Sequence, residues 1–299
     1  MIFNIDCLEG MKSLSASFVD VCITSPPYNL NIKYGEYKDD KPYDSYLEWM
    51  NQVFGEIKRI LKPDGHFFLN VGYSNVQPWI AMDVANQARK YFILQNNIAW
   101  VKSIHIDQSY GNFKPIISER FLSPTWENLF HFTHDGLAVC DKSAIGVRHK
   151  YSSDRGGPNC PVKRFKGRLV KRLGYKGVRD FEKNATQEEK DNVNEQVDKK
   201  DKETPESKLR DRGNSWFVAY DTIQNKEEKG NHPAIFPEQL VDKCIKLANI
   251  DSGVVLAPFL GTGTTALVAK RCSLDFIGYE IDEQYFNYAK QRVNSSNDV

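Results

Sequence analysis

Along this chain short, nearly continuous apolar runs alternate with helical patterns, and that alternation restricts the fold more than any other feature. The runs IFNID (2–6), VDVCIT (19–24), HFFLNVG (66–72), ENLFHFT (127–133), VVLAPF (254–259) and FIGYEI (276–281) read as strands, several of them covered on both faces. Between them, YLEWMNQVFGEIKRIL (46–61), PWIAMDVANQARKY (78–91), EQLVDKCIKLA (238–248), ALVAKRC (266–272) and EQYFNYAKQRV (283–293) carry apolar residues at helical spacing. The first of these patterns stops at Lys62-Pro63-Asp64-Gly65. Such alternation predicts an α/β fold with a helix-flanked, mostly parallel sheet. At 299 residues and 40% hydrophobic, the chain can bury a core for one large domain carrying an insertion.

The rhythm fails in the middle. From Lys142 to Lys183 basic residues exceed acidic ones by about ten, concentrated at Lys163, Arg164, Lys166, Arg168, Lys171 and Arg172, with Tyr151, Phe165, Tyr175 and Phe181 interleaved. A polar, acid-leaning stretch (184–211) follows. Charge alone fits a solvated, partly flexible insertion and fits phosphate-backbone binding equally well. The whole-chain charge of +1 conceals this polarity. Six scattered cysteines lack CxxC or Cys/His spacing, so reduced thiols and no structural metal are expected. No apolar stretch approaches the roughly 20 residues of a membrane span, and the first residues carry no basic leader, which predicts a cytosolic protein.

Two stretches carry chemistry. In TSPPY (24–28), two prolines end a strand between Ser25 and Tyr28. Both lack an N–H and fix φ, so Pro26 and Pro27 make a rigid turn whatever else they do. In VVLAPFLGTGTTALVAK (254–270), a buried-type strand runs into Gly261 and Gly263, which let the backbone turn and approach a ligand, while Thr264 or Thr265 can cap the following helix. The pattern is neither a P-loop nor a full GxGxxG. About twenty residues past Gly261, Glu280 stands at a strand end, where such folds hold ribose hydroxyls.

TSPPY followed, after a middle region, by PFLGTGTT resembles the β-class amino-methyltransferases of DNA, which transfer a methyl group from S-adenosylmethionine to an exocyclic base nitrogen. The resemblance covers most of the chain. Asn4-Ile5-Asp6-Cys7-Leu8-Glu9-Gly10 is similar to the segment that contacts the cofactor adenine, which implies that role for Asp6 and Cys7. Asn231 to Glu238 resembles the motif closing over the methionine end, which brings in His232, Phe236 and Pro237, with Phe259 beside the glycines. It implies a Rossmann-like methyltransferase of circularly permuted motif order, with 1–140 as the catalytic part, 141–213 as the inserted target-recognition region and 214–299 as the cofactor part. Because the chain opens with strand 2–6 and closes with strand 276–281, a permuted sheet would place its two ends at neighbouring strands.

The resemblance implies that Ser25 and the Pro26 carbonyl accept from the two N–H groups of a flipped base while Tyr28 stacks on it. Serine before Pro-Pro-Tyr goes mostly with cytosine N4; Asn29 also occurs in enzymes acting on adenine N6, so that alternative stays open. Serine is a weak base, and the surplus proton of the amine is expected to reach water. The implied partners are double-stranded DNA and a cognate restriction endonuclease acting on the same site, for a monomer or homodimer working on DNA in a prokaryotic cytoplasm. One residue departs from the pattern: Ala257 stands where the family has an aspartate that helps hold the methionine end. A natural variant, an engineered weakening and a DNA-binding protein with impaired catalysis all fit that change.

Overall fold

The structure, a computed structural model, describes residues 1–32, 37, 39–102, 119–122, 124–146, 186, 212–219 and 237–296. In chain order the elements are β1 (Ile2–Asn4), α1 (Cys7–Lys12), β2 (Val19–Thr24), α2 (Tyr43–Ile60), β3 (Leu61–Val71), α3 (Ile80–Ala88), β4 (Ile93–Val101), β5 (Trp126–Thr133), β6 (Ser215–Phe217), α4 (Glu238–Ala248), β7 (Val254–Ala257), α5 (Thr264–Arg271), β8 (Asp275–Glu280) and α6 (Glu283–Ser295). The chain divides into two compact units, Met1–Asp141 with Gly213–Val299, and Lys142–Arg212. In the second unit, Arg212 Nε donates to the Ile145 carbonyl at 2.9 Å.

The first unit is built on one eight-stranded sheet of order β1-β8-β7-β2-β3-β5-β4-β6. Every neighbouring pair is parallel except the two that β5 makes with β3 and β4. The mixed, mostly parallel sheet is therefore as the alternation predicts. β1 pairs β8 with Asn4 opposite Glu280, so the two ends of the chain do close one side of the sheet.

Alternation along the strands sorts the core. On one face Phe67, Leu69 and Val71 pack with Met11 of α1, with Tyr46, Met50, Val53, Phe54 and Ile57 of α2, and with Ile80 and Val84 of α3. Leu256 joins that cluster, whereas its neighbour Ala257 packs with Leu260, Ala266, Leu267, Ala289 and Val293 around α5 and α6. The sheet is thus covered on both faces, which is why β7 is apolar throughout and β2 carries Val21, Cys22 and Ile23 in succession.

Two details differ from the sequence expectation. β3 begins at Leu61 directly after α2, but β2 advances only from Val19 to Val21 while its partner advances from Leu61 to His66, so Lys62 to Gly65 bulges out of the ladder. β4 and β6 carry no strand prediction. ILQNNIAWV has two asparagines at its centre and begins exposed, and SWF is three residues long; only pairing on β5 and β4 makes them strands.

Candidate active site

Parallel strands place their carboxyl ends along one edge, and ligands of open α/β sheets sit outside that edge. Here β1, β2, β3, β7 and β8 end there, and β5, running the other way, contributes its first residues. One cavity follows the edge, from Asp6, Glu280 and Asp282 past Phe259 and Gly261 to Ser25, Pro26, Pro27 and Tyr28, with Asn70 and Glu127 at that end.

The Ser25–Tyr28 turn is braced on each side. Tyr46 of α2 donates its hydroxyl to the Pro27 carbonyl at 2.7 Å. The buried Asp39 carboxylate accepts the backbone N–H groups of Asn29, Leu30 and Ile32 at 2.8, 3.0 and 3.2 Å. Burial raises the Asp39 carboxyl above its ordinary value, with those three donors acting against it. Asn29 adopts a left-handed φ of 56° and its side-chain amide donates to the Lys41 carbonyl at 2.9 Å.

Within the turn, Ser25 Oγ lies 2.9 Å from the Tyr28 hydroxyl. That hydroxyl is 3.0 Å from Asn70 Oδ1 and 3.2 Å from Glu127 Oε2. Asn70 Nδ2 donates to the Asn128 carbonyl at 3.0 Å, which turns the amide oxygen toward Tyr28. Lys102, just past β4, pairs with the other oxygen of Glu127. Room for this cluster depends on Gly72, where a Cβ would stand 2.8 Å from the Tyr28 ring and 3.0 Å from the Glu127 carboxylate.

At the opposite end, Glu280 Oε1 accepts from Asp282 N at 2.9 Å and Oε2 from Gly261 N. Burial lifts the Glu280 carboxyl to about 7. Asp6 caps α1, its Oδ1 accepting from Leu8 N at 2.9 Å and Glu9 N at 3.3 Å. The neighbouring Cys7 thiol is pushed up, chiefly by burial. Phe259 meets Trp49 of α2 edge-on at 5.4 Å, giving the middle of the cavity an aromatic wall. These groups suit a nucleoside with an apolar extension: carboxylates for hydroxyl and amino donors, aromatic surface between.

The structure revises the expected cap of α5. The N-cap of α5 is Gly263, at φ 83°, and no side chain caps it, so Thr264 and Thr265 fall in the first turn instead. Thr264 Oγ1 instead accepts from Arg292 at 3.0 Å, and Arg292 also pairs with Glu238 at 2.7 Å. Ala257 is buried in the α5–α6 cluster and is not itself part of the cavity lining, although its neighbour Pro258 and its packing partner Leu260 are. Gly263 and Pro237 also lie outside the lining, while Thr264 and Thr265 are in it. His232, Phe236, Lys163, Arg164, Lys166, Arg168, Lys171 and Arg172 lie outside the described residues.

Sequence reasoning passed over Trp49, Asn70, Lys102 and Glu127. Asn70 and Glu127 sit in runs read as strands, but nothing in a linear pattern says which strand ends converge. The described residues also bring His66, His131 and Cys140 within 4.8 Å of one another. His131 spends both ring nitrogens within the fold, 2.9 Å from His66 Nδ1 and 2.9 Å from Asn96 Nδ2.

The sequence profile of the DNA methylase family matches residues 19–291. The type II methyltransferase M.BglII of Bacillus subtilis is 26% identical, the match covering 99% of this chain and 69% of that protein. The DNA adenine methyltransferase YhdJ of Escherichia coli K12 is 25% identical over 98% of this chain and 82% of its own length. Among solved structures, the cytosine-N4-specific PvuII DNA methyltransferase shares the fold with a TM-score of 0.63 at 16% identity, over 98% of this chain and 85% of that one.

Proposed function

We propose that this chain, which belongs to the DNA methylase family, is a site-specific enzyme that methylates the exocyclic N4 of a cytosine swung out of duplex DNA. It is a DNA methyltransferase of the amino-methyltransferase kind, and its cofactor is S-adenosylmethionine. When bound, the cofactor supplies the electrophilic methyl carbon.

One observation carries the reading: the Ser25–Tyr28 turn and the Glu280–Gly261 end line the same cavity. A base amino group is conjugated with its ring and becomes nucleophilic only when acceptors draw its two N–H bonds out of plane. Ser25 Oγ and the Pro26 carbonyl are assigned that task, held still by the bracing of Pro27 and Asn29. Glu280 is assigned the ribose, Asp6 and Cys7 the adenine, and Phe259 with Pro237, His232 and Phe236 the methionine end. A serine at residue 25 supports cytosine. Asn29, which taken as sequence speaks for adenine, is employed in the turn itself.

The segment 141–213 is assigned target recognition, its basic residues contacting phosphates and its side chains reading base edges. A restriction endonuclease cutting the same site is the partner this function calls for, and cytoplasmic DNA its place of action. No described helix is long and apolar enough to cross a membrane. Digesting DNA methylated by the purified protein to nucleosides tests the reading: N4-methylcytosine is expected, and N6-methyladenine alone would replace it with the adenine reaction. In the same assay Ser25→Ala is expected to abolish product without loss of cofactor binding.

A further inference from the structure

We infer that Glu127 ends a proton relay, in which the surplus proton of the methylated amine passes through Ser25 and Tyr28 to the Glu127 carboxylate. The inference rests on the role proposed for Ser25.

Hydroxyl geometry carries the argument. Ser25 Oγ, Tyr28 Oη and Glu127 Oε2 follow one another at 2.9 and 3.2 Å. Each hydroxyl has one proton, so if Tyr28 donates to the carboxylate, Ser25 donates to Tyr28. Ser25 then faces the base with lone pairs only, as an acceptor of amino N–H groups must. Asn70 Oδ1, at 3.0 Å from Tyr28 and 3.4 Å from Ser25, competes for the same protons, but an amide cannot keep one. Among the described residues, the other carboxylates lining the cavity are Asp6 and Asp282, which cap α1 and α6, and Glu280, which holds the Gly261 N–H. Among the described residues, Glu127 is the carboxylate hydrogen-bonded to this pair of hydroxyls. Its side chain is 15% exposed, and Lys102 holds Oε1 so that Oε2 faces Tyr28.

The proton accounting closes. Methyl transfer would form the N–C bond as the sulfonium S–C bond breaks with its electron pair left on sulfur; the amine nitrogen then carries a positive charge and one proton too many. Its N–H breaks as a new O–H forms on Ser25; the former Ser25 proton moves to Tyr28, and the Tyr28 proton moves to Glu127. The base ends neutral, the two hydroxyls are restored, and the carboxylate becomes a carboxylic acid that later releases its proton to water. No alkoxide is required at any point, which removes the difficulty that serine alone is a weak base.

Single-turnover methylation by Glu127→Gln, Tyr28→Phe and the double variant tests this. Proton transfer by a positioned group contributes roughly 10²–10⁴-fold, so each single variant is expected to lose at least about a hundredfold. Tyr28→Phe keeps the ring and removes only the hydroxyl. Because both variants cut the same chain, the double variant should be little worse than either single one, and fully additive losses would overturn the relay. Glu127→Ala should regain rate with added formate, and Glu127→Gln should speed up with rising pH more steeply than the unsubstituted protein, as hydroxide replaces the missing acceptor. Calorimetric S-adenosylmethionine affinity, expected unchanged in all, establishes that the variants are folded. A Glu127→Gln protein of ordinary rate alongside an inactive Ser25→Ala protein refutes the relay and leaves the role of Ser25 standing. An active Ser25→Ala protein refutes the underlying role. Loss in Glu127→Ala without formate rescue, and with an unchanged pH slope in Glu127→Gln, also refutes the relay.

Discussion

Glu280 Oε2 accepts the backbone N–H of Gly261 at 2.8 Å, so an acid at the end of β8 closes the glycine turn that follows β7. The bond joins two strand ends that line one cavity; burial lifts the Glu280 carboxyl to about 7, with the Gly261 N–H acting against that rise.

Cofactor affinity should therefore depend on pH. A carboxyl raised above its unfolded value takes up a proton on folding, so its stabilising contribution is present at low pH and lost as pH rises through about 7. In the role proposed for Glu280, ribose hydroxyls donate to the ionised form. S-adenosylmethionine should bind more tightly as pH rises from 6 to 8, by up to about tenfold per unit below the midpoint. Calorimetry at several pH values checks this, and Glu280→Gln should bind weakly with no such slope.

The His66–His131 pair predicts an acid-sensitive fold. Burial lowers His66 to about 4 and His131 to about 3, so both stay neutral in the folded protein. Depressed histidines contribute stability above their unfolded value of about 6.5, and lose it as pH falls toward the folded values, each by about 1.4 kcal/mol per pH unit. Glu280 acts in the opposite sense over part of that range. Urea denaturation of the Glu280→Gln protein between pH 7 and 5 should show falling stability, and adding His66→Gln should remove about one proton of slope.

Gly72→Ala should disable the reaction without unfolding the protein. The added methyl would press on Tyr28 and Glu127, at an overpacking cost of about 1–3 kcal/mol. Methyl transfer should fall at least tenfold while cofactor affinity, read by calorimetry, holds.

Ala257→Asp should destabilise. Its carboxylate would enter the apolar cluster of Leu260, Leu267 and Val293, where an unpaired buried charge costs on the order of 3 kcal/mol. Chemical denaturation measures that loss. Tighter S-adenosylmethionine binding by this variant would show that residue 257 reaches the cofactor after all.

Neutralising Lys163, Arg164, Lys166 and Arg168 should weaken binding to all DNA sequences alike. Each lost phosphate contact should flatten the plot of log affinity against log salt by about 0.9. An unchanged slope would mean that these residues do not touch phosphates.

The sequence by itself determined the layered α/β class, the span of β2, the rigid turn at Ser25–Tyr28 and the glycine turn before α5, because each depends on local periodicity or on the backbone limits of proline and glycine. Tertiary structure decided what converges. Asn70 and Glu127 reach Tyr28 from 42 and 99 residues away, through strand neighbours and the reversed direction of β5, neither of which a local pattern encodes. It also decided which way Ala257 points, since a strand side chain faces one side or the other according to a register fixed only when the strand is paired and both faces are packed.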